Sequence, residues 1–190
     1  GVERGVHGIS LRIGGAYLAD FHSNFTTICR CLGAKRGAFA AMFVPKELLM
    51  IVRPATEADL PQILAIHNDA VRRLDAIWTE IEDSLEDRRT WLRDRNTNNF
   101  PVLVAVDDDG ETVLGYASYG SYRAKSGYRL TVEHSIYLRD SAQGKGTGKA
   151  LMAALIEDAK SRGYHLMVGV IDARNASSIR FHEGFGFTHA

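Results

Sequence analysis

The sequence predicts an α/β domain in which a central, mixed but mostly antiparallel sheet is flanked by helices. From residue 50 onward, strand-like and helix-like segments follow one another in the order β-α-α-β-β-β-loop-α-β-α. Three consecutive strands, the first two joined by a short turn, predict an antiparallel meander. A glycine-rich run then separates this meander from a long helix. At 190 residues and 45% hydrophobic content, the chain is expected to bury one core.

Local patterns support each element in turn. The first helix carries apolar side chains at helical spacing, and Ser84 with Asp87 resembles a capping box that starts the second helix. Residues 107–110, Asp-Asp-Asp-Gly, are typical of a hairpin turn. Gly163 and Gly184 are expected to close the last two helices. The predicted elements are strands 50–53, 102–106, 113–119, 130–138 and 166–171, and helices that begin at residues 59, 84, 149 and 175.

The charge balance argues against several kinds of partner. The chain holds 23 basic and 23 acidic residues, so no overall field favours nucleic acid or an anionic membrane. No apolar run approaches the roughly 20 residues that span a membrane. His-Glu-x-x-His and Gly-x-Ser-x-Gly motifs are also absent from the sequence, so we expect neither a metal site nor a serine hydrolase. We therefore expect a cytoplasmic protein without nucleic-acid or membrane partners.

The chain divides near Met50 into parts of different composition. Residues 1–49 hold six basic and three acidic residues, a charge of +3, which leaves 17 basic and 20 acidic residues, or −3, for residues 50–190. The first part lacks a convincing period of 2 or 3.6 residues, so we expect an appendage outside the domain formed by residues 50–190. Both cysteines, Cys29 and Cys31, fall in this part. An acyl transfer within the domain must therefore avoid an acyl-cysteine intermediate.

The run Gln-Gly-Lys-Gly-Thr-Gly at residues 143–148 favours a phosphate-binding loop. Its glycines allow the backbone to approach a ligand closely, and the next helix aims free N–H groups at an anion. A Walker A loop is excluded because Ala150 replaces the Mg²⁺-binding hydroxyl. A dinucleotide fingerprint is excluded because neither possible start places a glycine in the third position. An ordinary glycine-rich turn stays open as the alternative.

Two spaced motifs resemble the GNAT family of N-acetyltransferases. Gln143, Gly146 and Gly148 match the pattern Gln/Arg-x-x-Gly-x-Gly/Ala of that family's acyl-CoA pyrophosphate loop. Residues 175–187 are similar to a second family motif that begins with Asn and ends with Gly-Phe. The element order is also that of the GNAT acyl-CoA N-acyltransferase fold. Finer similarities, at residues 76–78, 115–120 and 131–135, resemble the branch with the phosphinothricin, methionine sulfone and methionine sulfoximine acetyltransferases.

The resemblance implies acetyl-CoA as the co-substrate. By analogy, backbone groups of Ile136, Tyr137 and Leu138 would contact the pantetheine arm, and Asn175 would bond it near the thiol. The residues that would hold the pyrophosphate are Gly144, Lys145, Gly146, Thr147, Gly148 and Lys149.

The resemblance also implies direct transfer to the α-amine of a small amino acid or analogue. The residues that would line the acceptor side are Arg123, Ala124, Lys125, Glu133, His134 and Ser135. An ammonium cannot attack before it loses a proton, and Glu133, directly or through one water, is the candidate general base. Arg123 suits an acidic group because its planar fork donates two parallel bonds. His182 stands where many family members have a tyrosine proposed to protonate the leaving thiolate, which leaves that role open.

The end of the sequence departs from the family pattern. Past Gly186 and Phe187 the family continues with one more hairpin of roughly 20 residues, whereas this sequence ends at Ala190. We therefore expect the final hairpin to be missing and a sheet edge to be unpaired, with reduced stability. A homodimer is expected if the C-terminus is complete. A non-catalytic or fragmentary acyl-CoA-binding module is the alternative to an enzyme.

Overall fold

The computed structural model describes residues 6–13, 50–73, 77 and 79–189, all of which belong to one compact unit. These residues form seven strands and four α-helices. In chain order they are β1 (Val6–Arg12), β2 (Ile51–Pro54), α1 (Leu60–Arg73), α2 (Leu85–Thr97), β3 (Val102–Val106), β4 (Val113–Ser121), β5 (Thr131–Leu138), α3 (Thr147–Ser161), β6 (Leu166–Asp172), α4 (Ala176–Glu183) and β7 (Thr188–His189).

The seven described strands form one mixed sheet in the order β2-β3-β4-β5-β6-β1-β7. Strands β3 to β5 are the predicted antiparallel meander, and β2 extends it by pairing antiparallel with β3. The described pairing of β5 with β6 is parallel, and α3 supplies the crossover that such a pair requires. The predicted α/β class, with a mixed and mostly antiparallel sheet, is confirmed.

The helices cover both faces of this sheet. Val104 of β3 packs in a buried cluster with Leu60 and Ile63 of α1, whereas its neighbour Ala105 packs in a second cluster with Leu151 of α3. Successive side chains of a strand point to opposite faces. Helices α1 and α2 therefore cover one face of the sheet, and α3 covers the other.

The helix ends follow their capping residues. The Ser84 hydroxyl accepts a hydrogen bond from the Asp87 amide at 3.2 Å, and the Asp87 carboxylate accepts one from the Ser84 amide at 2.8 Å. The predicted capping box is thus confirmed, and such caps contribute about 1 kcal/mol. Gly163 closes α3 with a left-handed φ of 77°. Gly184 has a φ of −61°, and the left-handed residue after α4 is instead Gly186, with a φ of 86°.

Strand β1 lies inside the sheet, between β6 and β7. It runs antiparallel to β6 from Val6 opposite Asp172 to Arg12 opposite Leu166. Ile9 is fully buried and belongs to the same cluster as the α3 residues. This differs from the expected boundary at residue 50, because part of the expected appendage is a strand of the domain. Strand β1 covers the edge of β6 that faces away from β5.

Several sequence features lie outside the described residues. Cys29 and Cys31 are among them, as are Ala76 and Trp78 of the branch-specific motif. In the part of the chain that the structure describes, no helix combines the length and the apolar character needed to cross a membrane.

Candidate active site

A cleft opens where β5 and β6 separate. Their described pairing runs from Thr131 opposite Leu166 to Glu133 opposite Val168. Beyond that point a cavity of about 160 Å³ is lined by residues 133–137 of β5, residues 169–172 of β6 and the start of α4. Strand backbone groups that do not pair with a neighbouring strand need other partners, and a ligand can supply them.

This cavity brings together many of the residues selected from the sequence, namely Glu133, His134, Ser135, Ile136, Tyr137, Asn175 and His182. It is not lined by the remaining candidates, which are Arg123, Ala124, Lys125, Leu138 and residues 144–149. Arg123 lies on the loop after β4, where its Cζ is 4.9 Å from the ring centroid of Tyr122 and 5.7 Å from that of Tyr128. Its charge nevertheless acts on Glu133.

Glu133 is partly buried at the point where the two strands separate. Burial raises the pKa of its carboxyl above the ordinary value, and the positive charges of Arg95 and Arg123 oppose this rise. A raised pKa makes a carboxylate a stronger proton acceptor near neutral pH. The environment of Glu133 therefore combines a raised carboxyl pKa with two cations that favour its ionised form.

Two buried histidines stack beside Glu133. The ring centroids of His134 and His182 are 5.0 Å apart at an interplanar angle of 26°. His182 Nδ1 lies 2.6 Å from the Ser178 carbonyl oxygen, to which its N–H donates. In the described part of the chain, both His134 ring nitrogens and His182 Nε2 lack a hydrogen-bond partner. Burial lowers the pKa of His182. Burial, together with the charge of the neighbouring His182, lowers the pKa of His134 to about 3.

These histidines predict a stability that falls with acidification. An unfolded histidine takes up a proton near pH 6.5, whereas folded His134 does so only near pH 3. Between these values the unfolded state binds more protons, so the free energy of unfolding decreases as the pH falls, by up to about 1.4 kcal/mol per pH unit for one such group. Denaturant unfolding at pH 7, 6, 5 and 4 measures the slope. Replacing the imidazole by an uncharged aromatic ring in His134→Phe should flatten it, and parallel slopes for both proteins would contradict this prediction.

Asn175 caps helix α4 at the edge of the cavity. Its side-chain oxygen accepts a hydrogen bond from the Ser178 amide at 3.0 Å. The amide NH₂ is therefore the part of this side chain that remains to donate to a ligand. The cap fixes the orientation of that donor relative to the cleft.

The glycine loop forms a tight turn into α3. Gly144 and Gly146 have φ values of 72° and 89°, a region that other residues adopt only with strain. A Cβ on either would meet no atom within 4 Å, so backbone conformation is the reason for these glycines. Lys145 and Lys149 are exposed beside the loop. Thr147 is 1% exposed, and its buried hydroxyl has no hydrogen-bond partner in the described part of the chain.

This loop has the features of an anion site. The first N–H groups of a helix cannot bond within the helix, and they carry its positive dipole end. An orphaned hydroxyl and two lysine cations add donors and positive charge at the same place. Among the described residues, no group of three or more His, Cys, Asp and Glu side chains could hold a metal ion.

The structure also reveals a residue that the sequence patterns do not single out. Arg95 of α2 acts on Glu133 from the helix layer above the sheet. It is one of several arginines on a strongly polar helix, and helical spacing gives no reason to prefer it. Its place depends on how α2 packs on β4, which is a tertiary property.

Comparisons with known proteins agree with this geometry. The family model described as Acetyltransferase (GNAT) family matches residues 63–187. The chain is 52% identical over 136 residues to the L-methionine sulfoximine/L-methionine sulfone acetyltransferase of Pseudomonas aeruginosa, covering 72% of this chain and 78% of that protein. It is 33% identical to the phosphinothricin N-acetyltransferase of Streptomyces coelicolor, covering 73% of this chain and 81% of that protein.

The fold is similar to that of solved acetyltransferases. One is the GNAT superfamily phosphinothricin acetyltransferase of Sinorhizobium meliloti in complex with AcCoA, with a TM-score of 0.70 and 35% identity over 73% of this chain and 75% of that one. The sequence resemblance is thereby confirmed. Because the family model matches most of the sequence and the relatives are similar over most of their length, the chain belongs to the GNAT family of acetyltransferases.

Proposed function

We propose that this protein is an acetyl-CoA-dependent N-acetyltransferase that acts on the α-amine of a small amino acid or analogue. Methionine sulfone, methionine sulfoximine and phosphinothricin are the proposed types of acceptor, because relatives of this chain carry those names. The observation that carries the proposal is the cleft between β5 and β6, which presents a half-buried carboxylate, Glu133, beside unpaired strand edges. We propose direct transfer, and residues 50–190 contain no cysteine that could carry an acyl-cysteine intermediate.

The residues around the cleft fit acetyl-CoA. Its pyrophosphate matches the N–H groups, lysines and orphaned hydroxyl of residues 144–149. Its pantetheine arm matches the strand edge of residues 136–138 and the capped amide of Asn175. When bound, acetyl-CoA supplies a thioester carbonyl carbon that an amine can attack.

In this proposal Glu133 makes the acceptor nucleophilic. Its carboxylate removes a proton from the substrate ammonium, and the freed nitrogen pair bonds to the thioester carbonyl carbon. The carbon–sulfur bond then breaks, the nitrogen gives up its second proton and the thiolate takes up one, so that an amide, a free thiol and a protonated Glu133 result. Backbone N–H groups on the open edge of β5 are candidates to stabilise the oxyanion, and a lost donor of this kind typically costs about 3 kcal/mol.

His182 is a conditional candidate for protonating the thiolate. Its Nδ1 proton faces the Ser178 carbonyl oxygen, so in the neutral ring Nε2 carries a lone pair and accepts. Donation from Nε2 requires the imidazolium, which burial disfavours. We propose that His182 acts as the acid only if a bound ligand raises its pKa. A His182→Asn variant with unchanged kcat would remove His182 from the mechanism.

Arg123 is proposed to bind the acidic group of the acceptor together with Ala124, Lys125, His134 and Ser135. Replacing it with alanine should raise the acceptor KM by about 10- to 100-fold, because a charge-assisted bond is lost, and leave the acetyl-CoA KM within about twofold. Arg89→Ala, on the exposed face of α2, is the matched control. Equal rises in both KM values for Arg123→Ala would refute the assignment to the acceptor.

Thermal unfolding with acetyl-CoA tests the co-substrate, and a panel of amines tests the acceptor. A ligand at about 100 times its Kd stabilises by about 2.7 kcal/mol, which shifts Tm by several degrees. Free thiol should then appear with the proposed amino acids and not with the same compounds blocked at the α-amine. A Tm shift without thiol release for any acceptor would instead support the acyl-CoA-binding module.

We also propose that the enzyme works in the cytoplasm without nucleic-acid or membrane partners, and as a homodimer if the C-terminus is complete. The balanced charge supports the absence of a polyanionic partner. Sedimentation equilibrium of the full chain checks the dimer. A single species at the 21.0 kDa monomer mass would contradict it.

A further inference from the structure

We propose that Arg95 is a positioning residue whose charge favours the ionised Glu133 carboxylate in the cleft, with Gly120 providing the space in which its guanidinium lies. This inference rests on the proposed function, because it concerns the base of the proposed reaction. It assigns a role to a helix α2 side chain that does not line the cavity itself.

The first observation is a close approach between Arg95 and β4. A Cβ built on Gly120 would lie 1.8 Å from Arg95 Nη1 and 2.8 Å from Cζ. The guanidinium therefore fills the space that any other residue at position 120 would occupy. Gly120 is not among the described glycines with positive φ, so this space is the reason for glycine here.

The second observation places Glu133 next to this space. Gly120 and Glu133 are directly opposite one another in the β4–β5 ladder. Opposite residues of an antiparallel pair project to the same face, with Cβ atoms about 4.5–5.5 Å apart. Arg95 Nη1 is therefore within roughly 7 Å of the Glu133 Cβ, so the cation acts on the carboxylate through its charge and not through a direct ion pair.

The third observation is that this cation is costly to bury. Arg95 is partly buried, and in the described part of the chain its Nε is enclosed without a hydrogen-bond partner. Its Cζ lies 5.9 Å from the ring centroid of Phe100, which gives weak compensation. Burial and the neighbouring Arg88 lower the pKa of Arg95, and the charges of Glu133 and Asp94 oppose this. Glu133 is thus one of two acidic groups that offset the cost.

Two cations act on Glu133, Arg95 from α2 and Arg123 from the loop after β4. Tyr137 of β5 is a neutral phenol, because burial raises its pKa to about 12 and the Glu133 charge adds to that rise. On the other side of the cavity are His134, His182 and Asp172, and the Asp172 carboxylate pairs with Arg174 at 2.7 Å. Of the two cations that oppose the effect of burial on the Glu133 pKa, Arg95 has the larger influence.

Two substitutions disturb this arrangement by independent routes. Arg95→Met removes the cation and keeps most of the side-chain volume. Gly120→Ala leaves the cation in the protein and displaces it, because the new methyl group meets the mobile end of the arginine side chain. If both act through Glu133, the double variant should be no worse than the more affected single variant. Arg93→Met, on the exposed side of α2, is the matched control.

The test is the pH dependence of kcat/KM for the acetylation of methionine sulfone. The acid limb should move to higher pH in Arg95→Met and Gly120→Ala. Below the limb, kcat/KM should fall about tenfold for each pH unit by which the limb moves, and above the limb kcat/KM should return to the wild-type value. Arg95→Lys, which keeps a charge, should lie closer to the wild type. Unmoved acid limbs in folded Arg95→Met and Gly120→Ala would overturn the positioning role.

Glu133→Gln separates this inference from the proposed function. Loss of turnover in Glu133→Gln together with unmoved limbs in the Arg95 and Gly120 variants contradicts only the role of Arg95. A Glu133→Gln protein with normal turnover and a normal acid limb contradicts the proposed base itself. Carbon-13 titration of the Glu133 carboxyl gives the same answer without turnover, because its pKa should rise in Gly120→Ala even if Arg95→Met does not fold.

Discussion

Glu133→Gln should lower kcat by about 10²- to 10⁴-fold and leave the Kd for acetyl-CoA nearly unchanged. The substitution keeps the size of the side chain and removes its ability to accept a proton. A loss of about 10²- to 10⁴-fold is usual when a general base is removed. The Kd should be preserved because glutamine has the same size and the proposed acetyl-CoA contacts, residues 136–138, 144–149 and Asn175, do not include Glu133. Stopped assays of thiol release and calorimetric titration measure the two quantities.

Glu157→Gln is the control for this prediction. Glu157 is 72% exposed on α3 and pairs with Lys160, so its loss should change neither kcat nor Kd. A Glu133→Gln enzyme with wild-type kcat would show that the acceptor loses its proton to another group. Equal losses in kcat and in acetyl-CoA affinity would point to a damaged cleft instead of a missing base.

Ile9→Asp should remove a large part of the protein's stability. Ile9 is fully buried in β1 opposite Gly169, and it packs in the main core cluster. Burying a carboxylate without a partner there should cost about 4 kcal/mol or more, which corresponds to a fall in Tm of about 8–16 °C for a chain of this size. Thermal unfolding followed by circular dichroism measures the change.

Arg12→Asp tests whether this effect belongs to the buried face of β1. It places the same residue in the same strand at an exposed position, where changes are typically within about 0.5 kcal/mol. A Tm for Ile9→Asp as high as that of Arg12→Asp would show that β1 does not form part of the stable sheet. The expected difference would also matter for the cleft, because a Cβ on Gly169 would lie 3.5 Å from Ile9 Cγ1 and 2.9 Å from His134 Nε2.

Elements with local patterns could be predicted from the sequence, whereas β1 could not. The capping box at Ser84 and the turn at residues 107–110 are determined by neighbouring residues, and both form as expected. Strand β1 pairs with residues 166–172, which are far away in the chain, and such pairing leaves only a weak local trace. That trace is the alternation of Ile9, Leu11 and Ile13, which is short enough to be missed in a segment without other periodicity.

In the site as well, residues within motifs could be predicted from the sequence, whereas contacts between elements could not. Residues 133–137 of β5 could be selected from motifs, and the structure places them in one cavity with Asn175 and His182. The burial of His134 and the approach of Arg95 to Gly120 could not be selected, since both depend on which faces of β4, β5 and α2 meet. Packing between elements, more than residue type, determines the electrostatic environment of Glu133.

The most direct test of the proposed function is the mass of the acceptor after incubation of the full chain with acetyl-CoA and L-methionine sulfone. The proposal predicts one added acetyl group on the α-nitrogen, in the same amount as the free coenzyme A released, and loss of both products in Glu133→Gln. Free coenzyme A without an acetylated amino acid would indicate hydrolysis. That result, or the absence of either product for every amino acid of the proposed types, would contradict an N-acetyltransferase of this specificity.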